Sequence, residues 1–553
     1  MITAVVGMSA FAGTALWGRH HPGSGRSNPA SPRLGIRRPN PPPPGRRIPP
    51  HGGVASRGWR GSLLSAVLPV GGGKRSSARW ARPRDLKPLL FNIRRGRPGI
   101  SSSLSPGRLV LGRLGKQMVA AERNQSVIVF GPTQSHKTSG FAVPAILDWA
   151  GPVVAVSIKT DLIDHTIEHR RSCGEVLCFD PSGSTGMVSA TWSPLASSRT
   201  WPGARRTAAA LTEVAKTSVG PMSDGDFWYA TATKMLAPLL FAAAFGGHGM
   251  HDVIRWVDTH EESEVLDLLD AAGVPEAVHA ALSTFGKEDR QRSSIYTTVE
   301  TILEPFADSG DVLSDGDCTD DCADCTGYGT NFATAGGTTP NDRSIDPAHI
   351  TNGNNTLYLC APAHDQRRLT PLFVSVVRQI VEHVYDQVTL THCPLDPPLL
   401  IVLDEAANIA PLSDLDALAS TAAGHGVQLV TIWHDLAQIT ARYGPRATTV
   451  VNNHRAKLFL SGISDPSTLD YASHLIGDEE VLLPATTAGG SGGISTTQSP
   501  TTRRLAPPDA LRRIAPGEGV LVYGGLAPVR LRLRTWFSDK DLTARAVNTP
   551  STH

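Results

Sequence analysis

The chain has 553 residues, 40% of them hydrophobic and 18% charged, which predicts a largely soluble, globular protein of two or three domains with a sizeable core. The formal net charge of +2 hides an asymmetry: residues 1–100 hold 18 Lys and Arg against one acid, Asp85, so the remainder carries 34 basic and 49 acidic residues. Seven unevenly spaced cysteines exclude a secreted disulfide framework and make a reducing cytosol the default.

Residues 1–18 carry no charge and run into Arg19. The stretch is of marginal apolar length, and two readings stand: a transmembrane helix with its basic flank in the cytosol, or an unstructured start. It lacks the basic leading region of a secretory signal, so cleavage and export are not expected. From 19 to 106 the chain is rich in Pro, Gly, Arg and Ser, a composition that cannot bury enough apolar surface to fold and predicts a basic tether. Its charge suits anionic lipid headgroups or nucleic acid, or is incidental to a solvated linker.

An α/β nucleotide-binding domain is expected over 107–201 and again over 346–535. Its first signal is SVIVFGPTQSHKTSG, Ser126 to Gly140. The apolar run Val127–Phe130 reads as a strand, Gly131, Pro132, Thr133, Gln134, Ser135 and His136 as a tight loop, and Lys137-Thr138 as the start of a helix. In a phosphate-binding loop the backbone N–H groups surround the anion, a Lys reaches the terminal phosphates and a Ser/Thr hydroxyl ligates Mg²⁺. Lys137 and Thr138 hold those places, and the helix behind them favours negative charge. The departure is His136, where the pattern has Gly: the backbone there often needs φ > 0, which His tolerates better than a branched residue, but the imidazole is expected to crowd the phosphates. Strands follow at 153–157, with Lys159 and Asp161 just beyond, and at 176–179.

Over 202–345 the pattern turns helical, with expected helices at 203–218, 226–245, 261–271, 275–286 and 288–307, which reads as an all-α domain inserted into the sheet domain. The second is apolar enough to suggest a membrane span, but Lys234 and Pro238 inside it favour a buried core helix. Cys318, Cys322 and Cys325 close the block. Their spacing suits an iron–sulfur or zinc site, but the surrounding aspartates and the lack of a fourth ligand favour an exposed acidic loop.

The sheet resumes at 356–359. The uninterrupted run Leu399–Leu403 predicts a strand buried on both faces, ending in Asp404-Glu405. Asp404 is placed to hold Mg²⁺ and Glu405 to polarise the attacking water. The strand at 426–431 leads to His434, where a polar side chain can sense the terminal phosphate. Strands are expected at 456–461 and 520–523, a flexible loop at 488–500 and a tail at 536–553.

The ordered set GPTQSHKT, WSPL, DFW, LDEAANIAPL, HDLAQITARYG and NNHRAKLFLSGISD resembles the TraG/TraD-type coupling proteins of type IV secretion and conjugation, in their actinobacterial form, over about residues 107–535. The resemblance implies a P-loop, RecA-like ATPase using ATP and Mg²⁺, anchored on the cytoplasmic side of the cell membrane and assembled as a homo-hexamer. It implies that DNA and a relaxase are its cargo, that channel components are its partners and that the inserted helical domain helps recognise the cargo. Lys137 and Thr138 then bind phosphate and Mg²⁺, Asp404 orders the metal, Glu405 is the base and His434 the sensor, where the family normally has Gln. The trans-acting finger has no clear holder: His425 occupies its usual place, and Arg442 and Arg455 are the other candidates. Two rival readings are an adaptor of the same fold with little or no hydrolysis and a soluble P-loop kinase. The tether and the distant Asp-Glu pair count against the kinase.

Overall fold

Aliphatic runs without charge build the sheet, because side chains alternate between its two faces and both faces are covered. The computed structural model describes residues 77–91, 107–219, 225–307, 343–408, 410–488 and 494–546. The candidate membrane stretch 1–18, most of the tether and the loop with Cys318, Cys322 and Cys325 lie outside the described residues; the tether is corrected at 77–91, where Leu86 and Leu89 are buried and Leu90–Phe91 joins the sheet, because this short stretch does carry apolar side chains to bury. Among the described residues no helix is long and apolar enough to cross a membrane.

In chain order the strands are β1 (Leu90–Phe91), β2 (Val110–Leu114), β3 (Gln117–Ala120), β4 (Val127–Phe130), β5 (Val153–Ser157), β6 (Val176–Phe179) and β7 (Thr356–Cys360). They continue as β8 (Leu399–Leu403), β9 (Val427–Trp433), β10 (Ala456–Leu460), β11 (Asp478–Ala488), β12 (Ile494–Arg504), β13 (Glu518–Tyr523) and β14 (Val529–Arg532). All except β11 and β12 share one sheet in the order β1-β3-β2-β14-β13-β10-β4-β9-β8-β5-β7-β6. The block from β10 to β6 is parallel, as expected, while β13, β14, β2, β3 and β1 extend it antiparallel beyond β10, so the whole sheet is mixed. In the parallel block, Ile128, Val154, Ile401 and Leu429 face one core, and Val129, Val153, Val402 and Val430 face the other.

The expected loop at 488–500 is corrected: β11 and β12 pair antiparallel from Asp478↔Arg504 to Ala488↔Ile494. The β-branched threonines of this segment favour extended backbone, which the reading from its glycines overlooked.

The five helices expected in the insertion are present at Trp201–Val219, Gly225–Gly246, Ser263–Ala271, Pro275–Phe285 and Asp289–Ala307. One more, Met250–Thr259, adds to the set, and the long helix Gln366–Thr391 follows β7, outside the insertion. The apolar helix Gly225–Gly246 is a core helix: Tyr229, Met235, Leu236, Leu239 and Leu240 are buried against its neighbours.

Two buried arginines fix elements around the parallel block. Arg170, fully buried at the end of the helix Asp161–Arg171, donates to the carbonyls of Trp149, Gly151 and Asn354 and to Thr356 Oγ1 at 2.7–2.8 Å. It closes the amino ends of β5 and β7 without a carboxylate. Arg534 pairs with Asp539 at 2.8 Å and with Asp148, while Arg113 reaches Asp539 at 2.7 Å. This network ties β2, the helix Val143–Asp148 and the segment after β14 together.

Candidate nucleotide-binding site

The topology brings three strand ends side by side, because β9 lies between β4 and β8. The loop after β4 therefore meets Glu405 after β8 across His434 after β9. Gly131 N–H donates to the Trp433 carbonyl at 2.9 Å, and a Cβ on Gly131 would strike Ser135 Oγ, so the loop requires glycine here. Ser135 is buried and its hydroxyl donates to the Pro132 carbonyl at 2.7 Å. Gln134 and His136 both take φ +64°, the left-handed region, with Lys137 already helical. This succession turns backbone N–H groups toward one concavity, the geometry of an anion nest.

The positive φ expected at His136 is thus present. Its imidazole is engaged on one side of the loop, with Nδ1 3.1 Å from Ser139 Oγ and the ring 6.1 Å from that of Phe537. Those contacts explain how the loop keeps its shape with a Cβ where the pattern has glycine. The helix behind the loop starts with a wide turn, Thr138–Ala142, before regular α-helix at Val143–Asp148.

Thr138 Oγ1 donates to Asp404 Oδ2 at 2.8 Å. Asp404 is buried, and its Oδ1 has no hydrogen-bond partner. Burial pushes the carboxyl up to about 6, against the opposing pull of the Thr138 hydroxyl and of Lys137. Lys137 Nζ lies 3.2 Å from His434 Nε2 and 3.5 Å from Glu405 Oε1. Burial, and then the Lys137 charge, lower the His434 pKa, so the imidazole is neutral near pH 7 and accepts from the ammonium. The Gln438 carboxamide accepts from the His434 N–H at 2.9 Å and fixes that backbone. Glu405 takes φ +63°, an uncommon conformation for a side-chain-bearing residue, and the bond from Ala406 N–H to the Ile432 carbonyl holds the chain just beyond it.

A cleft of about 300 Å³ opens beside these groups, lined by Thr133, Gln134, His136, Lys137, Thr138, Asp404 and Glu405. His434 stands at its edge through its contacts with Lys137 and Glu405. All the sequence-predicted site residues are therefore brought together. Of the finger candidates, Arg455 sits at the amino end of β10, paired with Glu122 at 3.1 Å and stacked over Tyr523. Arg442 donates to the Pro411 carbonyl, and His425 stacks on Tyr385. None of the three lines the cleft within this chain.

Sequence reasoning missed His165 and Trp536, which line the same cleft. His165 had one usable signal, its position four residues after Asp161, which puts both on one helical face. Trp536 had none, since nothing in the spacing connects the end of the chain to a loop some 400 residues earlier.

Asp404 Oδ1, a buried carboxylate oxygen without a donor beside a threonine hydroxyl, is suited to the water shell of a divalent cation. The donor set is all oxygen, which suits Mg²⁺. The loop and Lys137 suit a polyphosphate.

Two family models match the chain: "Type IV secretory system Conjugative DNA transfer" over residues 82–310 and "TraM recognition site of TraD and TraG" over residues 398–516. The conjugal transfer protein TraG of Rhizobium radiobacter is 23% identical over 434 residues, covering 75% of this chain and 63% of that protein. A TraG of Escherichia coli is 23% identical over 512 residues, covering 85% and 77%. The chain thus spans less than two thirds of the Rhizobium relative. Among solved structures, the plasmid coupling protein TrwB with ADP and Mg²⁺ matches with a TM-score of 0.53 at 16% identity, covering 74% of this chain and 85% of that one. TrwB with a non-hydrolysable GTP analogue matches at 0.54, with 15% identity and coverages of 78% and 96%. At these identities the likeness establishes a shared fold.

Proposed function

Because the chain belongs to the TraG/TraD-type family of conjugative coupling proteins, we propose that it is an ATP-driven motor that hands DNA, or a relaxase–DNA complex, to a type IV secretion channel. It works on the cytoplasmic side of the cell membrane as a homo-hexamer, with the helical insertion receiving the cargo. The observation that carries this reading is the meeting of Lys137, Thr138, Asp404, Glu405 and His434 at three adjacent strand ends.

In this reading the loop N–H groups and Lys137 hold the phosphates of ATP, and Thr138 Oγ1 and Asp404 hold Mg²⁺. Held there, Mg²⁺ would supply positive charge against the phosphate oxygens. Glu405 Oε1 accepts the proton of the attacking water, and His434 orients against the terminal phosphate. Lys137 Nζ lies within reach of both Glu405 and His434, so the group that holds phosphate stands beside the base and the sensor.

A weakly hydrolysing adaptor of the same fold is the second reading. The observation favouring it is His136, with its side chain at a loop position where the pattern has none. Steady-state ATP hydrolysis by the purified chain, with Mg²⁺ and with or without single-stranded DNA, tests the motor. Turnover that DNA stimulates is the expected result; Mg²⁺-ATP binding without turnover selects the adaptor, and no binding refutes both.

A further inference from the structure

The cleft has lining residues that the phosphate chemistry leaves unexplained. Beside the loop and the acidic pair, its lining includes Ser139 and Val143 of the loop helix, and His165 and Trp536. The Trp536 and His165 rings lie 4.1 Å apart, centroid to centroid. Trp536 is held to the loop itself: its N–H donates to the Ser139 carbonyl at 3.0 Å, one residue after Thr138. Its own carbonyl accepts from Thr543 Oγ1 at 2.7 Å. The buried Arg534–Asp539 pair anchors the same segment from behind. Trp536 is only half-buried, so this indole is rigidly placed yet keeps surface open to the cleft.

We infer that Trp536, backed by His165, is the stacking platform for the base of the bound nucleotide. The inference rests on the nucleotide-binding reading above and names what selects the nucleotide. A flat ring fixed relative to the phosphate loop offers a π-face, and every base has one. Asp161, on the same helical face as His165, also lines the cleft and offers an acceptor for ribose hydroxyls. Stacking reads ring area and not the hydrogen-bonding edge. ATP and GTP therefore bind with affinities within about 10-fold of each other, and CTP and UTP bind more weakly than either.

The experiment measures binding of ATP, GTP and inorganic tripolyphosphate, each with Mg²⁺, to the wild type and to Trp536→Ala, Trp536→Phe and His165→Ala. Trp536→Ala is expected to weaken ATP and GTP on the order of 10-fold or more while leaving tripolyphosphate unchanged, and Trp536→Phe to restore most of the loss. ATP, but not tripolyphosphate, should also quench tryptophan emission in the wild type more than in Trp536→Phe. That fluorescence difference, together with a loss of ATP affinity in His165→Ala, carries the test if Trp536→Ala does not fold. Unchanged ATP affinity in Trp536→Ala, or equal weakening of tripolyphosphate, overturns the platform. A wild type that binds neither ATP nor tripolyphosphate overturns the nucleotide reading itself, which is a separate outcome.

Discussion

Asp404→Asn separates what this site costs the fold from what it gives the ligand. The Asp404 carboxylate is buried with Oδ1 unpartnered, and its pKa of about 6 compares with 3.8 for a free side chain. At 1.36 kcal/mol per pH unit, that gap makes the ionised form cost the nucleotide-free fold about 3 kcal/mol. Below pH 3.8 both states are protonated and the penalty vanishes. As pH rises through 3.8 the unfolded chain ionises first, stability falls, and the full cost is present above 6. Asn keeps an acceptor for Thr138 Oγ1 and carries no charge, so the variant should gain stability that grows between pH 4 and 6 and then levels off. The ligand effect has the opposite sign: stabilisation by Mg²⁺-ATP, which needs the carboxylate, should increase through pH 6 in the wild type and be lost in Asp404→Asn. Urea midpoints at pH 4, 5, 6, 7 and 8, with and without Mg²⁺-ATP, check both. A variant less stable than the wild type at pH 8 without nucleotide would refute the reasoning and mark Asp404 as satisfied within the fold.

Glu405→Gln should keep Mg²⁺-nucleotide affinity while lowering turnover about 10²–10⁴-fold, since it removes a base and no phosphate contact; equal losses in titration and rate would make Glu405 a binding residue. His136→Gly should raise turnover, and further when combined with His434→Gln; hydrolysis rates of the single and double variants check this, and slowing in His136→Gly would make the histidine a working part. His454 is fully buried, its Nε2 3.1 Å from Thr431 Oγ1, and burial lowers its pKa to about 4. The unfolded chain then gains a proton near pH 6.5 that the fold refuses, so stability should fall from pH 6.5 to about 4 by about 3 kcal/mol, and His454→Gln should flatten that limb of a urea-midpoint series. Arg534→Met should destabilise by about 2–3 kcal/mol in urea unfolding, because it removes the buried guanidinium that Asp148 and Asp539 share and leaves them only Arg545 and Arg113.

The parallel half of the sheet was legible because its strands are buried on both faces and so read as unbroken apolar runs: Val127–Phe130 and Leu399–Leu403 announce themselves and carry their site residues at their ends. The antiparallel half was harder. β2 is interrupted by Gly112 and Arg113, and β14 alternates Val529 and Leu531 with exposed Arg530 and Arg532, so neither makes a run. Lys137, Asp404 and His434 could be named because phosphate and metal chemistry restrict both residue type and position. Trp536 could not, since a stacking surface asks only for a flat ring at the right point in space. The β11–β12 pair was misread because Gly489, Gly490, Gly492 and Gly493 suggested a loop for the whole segment, although Ile494–Arg504 forms a strand.

The antiparallel half of the sheet is assembled from both ends of the described chain: β2, which carries β3 and then β1, pairs with β14, β14 pairs with β13, and Trp536 follows β14 in the chain. During synthesis the phosphate loop leaves the ribosome 398 residues before Trp536, roughly 20–80 s at ordinary elongation rates. Through that interval Phe141 and the helix behind the loop lack Leu533, Leu531 and the arginine network that will cover them. A chain released before its last strands would therefore present an open apolar edge to chaperones or to its own copies.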